Sequence, residues 1–148
     1  MPQPWSEDAT KLSEIRIRCH KLAKGHAEGQ ALVSKDPICF YLVEPKTGVV
    51  REGGHQLEGK SVSGKVLVFP TGKASSAVQM DGLVKLLINK NAPNAMIVTD
   101  VDPVLLGSAV LTKIPLVDRL ETNPFEAINS GDLVKVDADR GLVIVTKN

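Results

Sequence analysis

Cysteine is scarce in this chain: Cys19 and Cys39 are the only two in 148 residues. Two thiols fall short of the ligands that an iron–sulfur cluster or a structural zinc site takes, so neither is expected on this chain. Met1–Lys11 is polar around a Pro-flanked Trp5 and lacks the apolar stretch of a secretory leader. Reduced thiols in a cytoplasmic protein are therefore expected rather than a disulfide. Aromatic residues are also few, at 3%, which leaves a core to be built from Val, Leu, Ile and Ala. An excess of one charge is lacking too. Lys and Arg number 18 against 17 Asp and Glu, and the basic residues are scattered. That balance offers no long-range attraction to nucleic acid or an anionic membrane. No apolar run approaches the roughly 20 residues of a membrane-spanning helix.

What is present is enough apolar residue, 43%, for one core. A chain of this length forms a single domain that buries about 70% of its unfolded surface. The sequence divides into a flexible tail over residues 1–12 and one domain over 13–148. Glu14–Leu22 alternates Ile15, Ile17 and Cys19 with Arg16 and Arg18, the pattern of a half-buried strand. Gln30–Ser34 and Ile38–Val43 predict two more strands, and Lys46-Thr47-Gly48 a turn. Lys65–Phe69 and Ala95–Thr99 are continuous apolar runs, as strands covered on both faces require. Between them Met80, Leu83, Val84, Leu87 and Ile88 recur at helical spacing. Pro103–Leu111 predicts a short helix, Ile114–Val117 a strand, and Asp132–Asp137 with Leu142–Thr146 a hairpin about Asp139-Arg140-Gly141. The order is that of a mixed α/β domain.

One junction carries chemistry. Phe69-Pro70-Thr71-Gly72-Lys73-Ala74-Ser75-Ser76 runs from a buried strand into the start of a helix. Such a junction presents free N–H groups and the positive end of the helix dipole, which suits an anion. Gly72 permits close backbone turning and Lys73 adds a charge. Ser75 or Ser76 equally reads as an ordinary N-cap, and Lys73 as a solvated surface charge. A Walker loop is excluded because Leu67 stands where its first glycine is needed.

The sequence FPTGKASS resembles the swivel-domain motif FP-x-G-K/R-G-S-S/T-x-G-S of the aconitase X small-subunit family. The resemblance runs from Ile17 to Val145 through AEGQALVSKDPICF, EPKTGVV, HQLEGKSVSGKVLVFP, NAPNAMIV, IPLVD and GDLVKVDADRG. It implies a swivelling β/β/α domain with a mixed or barrel-like β core and flanking helices. It further implies a dehydratase subunit whose site is completed by a large aconitase-like partner holding an iron–sulfur cluster or iron. This chain then binds no cofactor itself. Members in archaea dehydrate phosphomevalonate in isoprenoid biosynthesis, and bacterial ones cis-3-hydroxy-L-proline. The family's catalytic serine falls on Ser75. Thr71, Gly72, Lys73 and Ser76 then line the place of an anionic substrate, and the serine is basic only if N–H donors and Lys73 stabilise its alkoxide.

Near that loop the chain departs from the family pattern. Ala74 and Val78 replace glycines, Gln79 replaces a serine, and Phe40-Tyr41-Leu42-Val43-Glu44 lacks a glycine pair. These differences leave open a non-catalytic binding or regulatory subunit of the same fold. A third reading, a phosphohistidine carrier built on Gly53-Gly54-His55, has only that short segment behind it, and His55 reads better as an exposed loop residue. His20 and His26 read as surface residues. Asp100 and Asp102 form a carboxylate pair or a helix start, and Asp118 and Arg119 follow a buried strand where α/β folds place site residues.

Overall fold

The computed structural model describes residues 14–148, so the expected tail lies outside the described residues. Its strands are β1 (Glu14–Arg18), β2 (His20–Ala23), β3 (His26–Val33), β4 (Val66–Phe69), β5 (Ala95–Val98), β6 (Leu116–Asp118), β7 (Leu133–Asp137) and β8 (Leu142–Thr146). Its helices are α1 (Ser76–Ile88), α2 (Pro103–Thr112) and the short α3 (Pro124–Ala127). Strand order is β1-β8-β7-β3-β4-β5-β6-β2. Strand β3 serves two layers. Residues 26–30 pair antiparallel with β7, and residues 31–33 pair parallel with β4. The end strands β1 and β2 are consecutive in the chain, joined only through Cys19, whose N–H donates to the Gly141 carbonyl at 3.0 Å. The sheet therefore folds over on itself, and its two ends are tied by covalent chain.

Side-chain alternation sorts the core into two clusters. Ala31, Val66, Val68, Ala95, Ile97 and Val117 point from the parallel strands onto Ile17, Val134, Val136, Val143 and Val145 of the antiparallel ones. Leu32, Leu67, Phe69, Met96, Val98 and Leu116 point the other way, onto Leu83 and Leu86 of α1 and Leu105 and Ala109 of α2. This gives β/β/α layers, with the parallel strands covered on both faces. That is why β4 and β5 read as unbroken apolar runs. Gly82 lets α1 approach the short 3-10 turn at Phe40–Leu42, since a Cβ there would come within 2.4 Å of the Phe40 and Tyr41 backbone.

Several sequence expectations are corrected. Glu14–Leu22 is two strands rather than one, because the chain leaves the antiparallel layer at Cys19 and enters the parallel one at His20. Ile38–Val43 is a 3-10 turn held by isolated bridges from Ile38 to Gly72 and Val43 to Val50. The buried stripe of α1 is Gln79, Gly82, Leu83 and Leu86, whereas Leu87 and Ile88 are exposed. Helix α3 had no expectation attached. Its Asn123 caps Phe125 N–H, and Pro124 sits at its start.

Candidate functional site

Strands β3 to β6 run parallel, so their carboxyl ends lie along one edge, the usual location of ligand sites in open α/β sheets. The loop after β4 begins at Pro70, whose carbonyl accepts from the N–H groups of Thr99 (3.2 Å) and Asp100 (2.9 Å) at the end of β5. Its middle is clamped against the segment after β3. Ile38 N–H donates to Thr71 O, and Lys73 N–H donates to Ile38 O, both at 3.1 Å. Gln79 completes the clamp from inside α1. Its Oε1 accepts Phe40 N–H at 2.7 Å and its Nε2 donates to Ile38 O at 3.1 Å. Gly72 lies in the angle of these contacts. A Cβ there would meet Gln79 Nε2 at 2.7 Å and Asp102 Oδ2 at 2.8 Å. Of the residues singled out in sequence, Thr71, Gly72, Lys73, Ser75 and Ser76 thus share one short, fixed loop.

The two helices that start on this edge begin differently. Asp102 caps α2 by accepting Val104 N–H at 3.1 Å, with Pro103 at the first helical position. Ser75 holds the N-cap position of α1 with an extended backbone, yet its hydroxyl makes no capping bond. It is exposed, as is Ser76, and the first turn of α1 carries no acidic residue. The positive end of α1 and the Ser75 hydroxyl are therefore both left open to an incoming group. Lys73 does not point its charge at them. Its Nζ pairs with Glu52 Oε2 at 2.5 Å, so the lysine expected to steady an alkoxide is held by a neighbouring carboxylate. Val78 is half-buried rather than projecting freely over the loop. Lys73, Ser75 and Ser76 face solvent, while Thr71, Gly72 and Ala74 are half-buried.

Two further pieces of this edge come from residues distant in sequence. Asp118, ending β6, has a side chain 4% exposed, and its Oδ1 lies 2.8 Å from Nδ1 of His20. Burial and then the nearby Asp118 and Asp137 push the Cys19 thiol up to about 11, which makes it a poor nucleophile. His55 is buried, not exposed. Its Nδ1 accepts Leu57 N–H and its Nε2 faces Pro37 O, each at 2.9 Å, so both ring nitrogens are committed to backbone partners, which argues against a phosphohistidine role. Among the described residues no three His, Cys, Asp or Glu side chains gather as metal ligands, and both cysteines are free. These residues do not fit an iron–sulfur cluster. No helix among them is long and apolar enough to cross a membrane.

A β/β/α stack with a fixed loop at the carboxyl edge of its parallel strands is the architecture of a swivel-type domain. The chain belongs to the aconitase X swivel-domain family, whose model matches residues 16–145. It is 46% identical to the phosphomevalonate dehydratase small subunit of Methanocella arvoryzae, over 87% of this chain and 98% of that protein. To the subunit of the same name from Methanosarcina acetivorans it is 42% identical, over 90% and 92%. It also superimposes on a chain of the crystal structure of Thermococcus kodakaraensis aconitase X in its holo form, with a TM-score of 0.80 and 35% identity. That match covers 88% of this chain and 98% of the other.

Proposed function

We propose that this chain is the small subunit of a hydro-lyase that dehydrates phosphomevalonate, with Ser75 as the proton acceptor. The observation that carries this is the uncommitted Ser75 hydroxyl at an uncapped helix start, in a chain similar along most of its length to phosphomevalonate dehydratase small subunits. Serine is a weak base in water. At the end of α1 an alkoxide gains from the first-turn N–H groups and a dipole equivalent to about half a positive charge. So held, Ser75 Oγ takes a proton from the carbon next to the one bearing the hydroxyl and becomes a neutral hydroxyl. The electron pair of that C–H bond forms the double bond while the C–O bond breaks, its oxygen leaving as hydroxide to be released as water. Thr71 and Gly72 shape the loop, Ser76 adds a second hydroxyl for the anionic substrate, and Lys73 contributes to the field only net of Glu52.

The other half of the site belongs to a large aconitase-like subunit, in a cytoplasmic heterodimer. An iron–sulfur cluster or iron is assigned to that subunit by the likeness to aconitase X. The reading is tested by mixing this chain with the large subunit and following phosphomevalonate consumption. Turnover only when both chains are present supports it. A stable complex with no dehydration favours the non-catalytic alternative, for which the structural use of Gln79 at a motif serine position is the specific observation.

A further inference from the structure

A second cationic feature stands on the same edge as Ser75. Phe69 pairs with Val98, and Ile97 with Val117, so Asp118 is level with the residue from which the Ser75 loop departs. Leu116 faces the helices and Val117 the other sheet; alternation returns Asp118 to the helix side, where α1 and α2 begin. The buried carboxylate there holds two arms. His20 Nδ1 is 2.8 Å from Oδ1, and Arg119 Nε is 4.0 Å from Oδ2. Both arms are largely outside, with side chains 52% and 75% exposed. The nearest acid on the following loop, Glu121, is engaged elsewhere, 3.9 Å from Arg18 Nε, and Lys21 adds a further positive charge on β2.

The backbone is unusual at this point. Arg119 has φ of 51°. Among the described residues the other non-glycine residues with positive φ are Lys90 and Lys113, and these follow α1 and α2, where left-handed residues ordinarily end helices. Arg119 follows a strand. A bulky residue kept in that region is strained, and such strain clusters at functional sites. Here the exposed guanidinium lies within 4.0 Å of the carboxylate that His20 also faces.

We propose that His20 and Arg119, anchored on Asp118, bind the phosphate of the substrate while Ser75 works at its other end. This rests on the dehydratase reading above and adds the specificity element that it lacks. Nδ1 of His20 turned to a carboxylate leaves Nε2 as the outward donor when the ring is protonated, and a guanidinium beside it completes a two-armed contact for a phosphate. The loop that carries Ser75 leaves the end of β4, and this pair stands at the ends of β6 and β2, two and three strands along the same sheet edge.

The test uses the assembled pair with phosphomevalonate and, as comparison, mevalonate. His20→Gln and Arg119→Gln should each raise KM for phosphomevalonate about tenfold or more, the loss of one charged hydrogen bond, with kcat within about twofold. Arg119→Lys should recover much of that loss, and preference for the phosphorylated substrate should shrink in step. Unchanged KM in both glutamine variants, or a loss confined to kcat, overturns the assignment while leaving the Ser75 reading intact. A wild-type pair that dehydrates neither compound overturns that reading, and this one with it.

Discussion

Gln79 and Phe40 are joined by a buried hydrogen bond, the Gln79 Oε1 accepting the Phe40 N–H at 2.7 Å. Because the same amide also donates to Ile38 O, one helix side chain sets the wall against which the Ser75 loop is folded. Gln79→Ala orphans a buried donor and should cost about 2 kcal/mol, lowering Tm by about 5 °C. Calorimetry of the variant checks this, and a Tm within about 1 °C of wild type would show that the strut carries no load.

Gly72→Ala should damage stability and site together. The added Cβ falls 2.7 Å from Gln79 Nε2 and 2.8 Å from Asp102 Oδ2, both fixed by their own hydrogen bonds. An overpacking cost of about 1–3 kcal/mol is expected. In the assembled pair turnover should fall even at temperatures where the variant is fully folded, because the loop must shift. Full activity with wild-type Tm would mean that the loop has room to spare.

Asp132 makes stability depend on acid. Burial alone would raise its pKa, but the Lys147 ammonium at 2.6 Å and the N–H groups of Asn129 and Asn148 outweigh it and hold it below the ordinary 3.8. A carboxylate depressed on folding stabilises the fold fully above its unfolded value, and the contribution disappears as pH falls through the folded one. Urea midpoints should therefore decline below about pH 4. Asp132→Asn should be less stable at neutral pH and flatter on the acid side. An unchanged acid limb would contradict the pairing.

Cys19 should resist alkylation. With its thiol pushed up to about 11, the thiolate at pH 8 is about one part in a thousand, well below that of an ordinary cysteine. Iodoacetamide followed by peptide mass spectrometry should leave Cys19 unmodified in the folded chain and modify it in urea. Rapid labelling of folded protein would contradict the half-buried, acid-flanked position.

The sequence disclosed the elements whose burial is uniform and hid those whose burial is mixed. Val66–Phe69 and Ala95–Val98 could be read as strands because both faces are covered. The face of α1 was misread since Leu87 and Ile88 are apolar yet exposed, while polar Gln79 is buried to serve a hydrogen bond. Ile38–Val43 looks like a strand because it is an unbroken run of apolar residues, and such a run equally suits a turn packed against a helix. The Ser75 loop was visible as a local run, but the His20–Asp118 contact joins residues 98 apart and leaves no local trace. Nor did any pattern foretell that Glu52 would claim Lys73.

The central claim is that the Ser75 hydroxyl, left free at the head of α1, is the group that removes the proton. Steady-state turnover of Ser75→Ala in the assembled heterodimer tests it most directly, with complex formation checked by gel filtration. The account predicts an intact complex whose kcat falls by about a hundredfold to ten-thousandfold, with KM little changed. An intact complex turning over at close to the wild-type rate would contradict it.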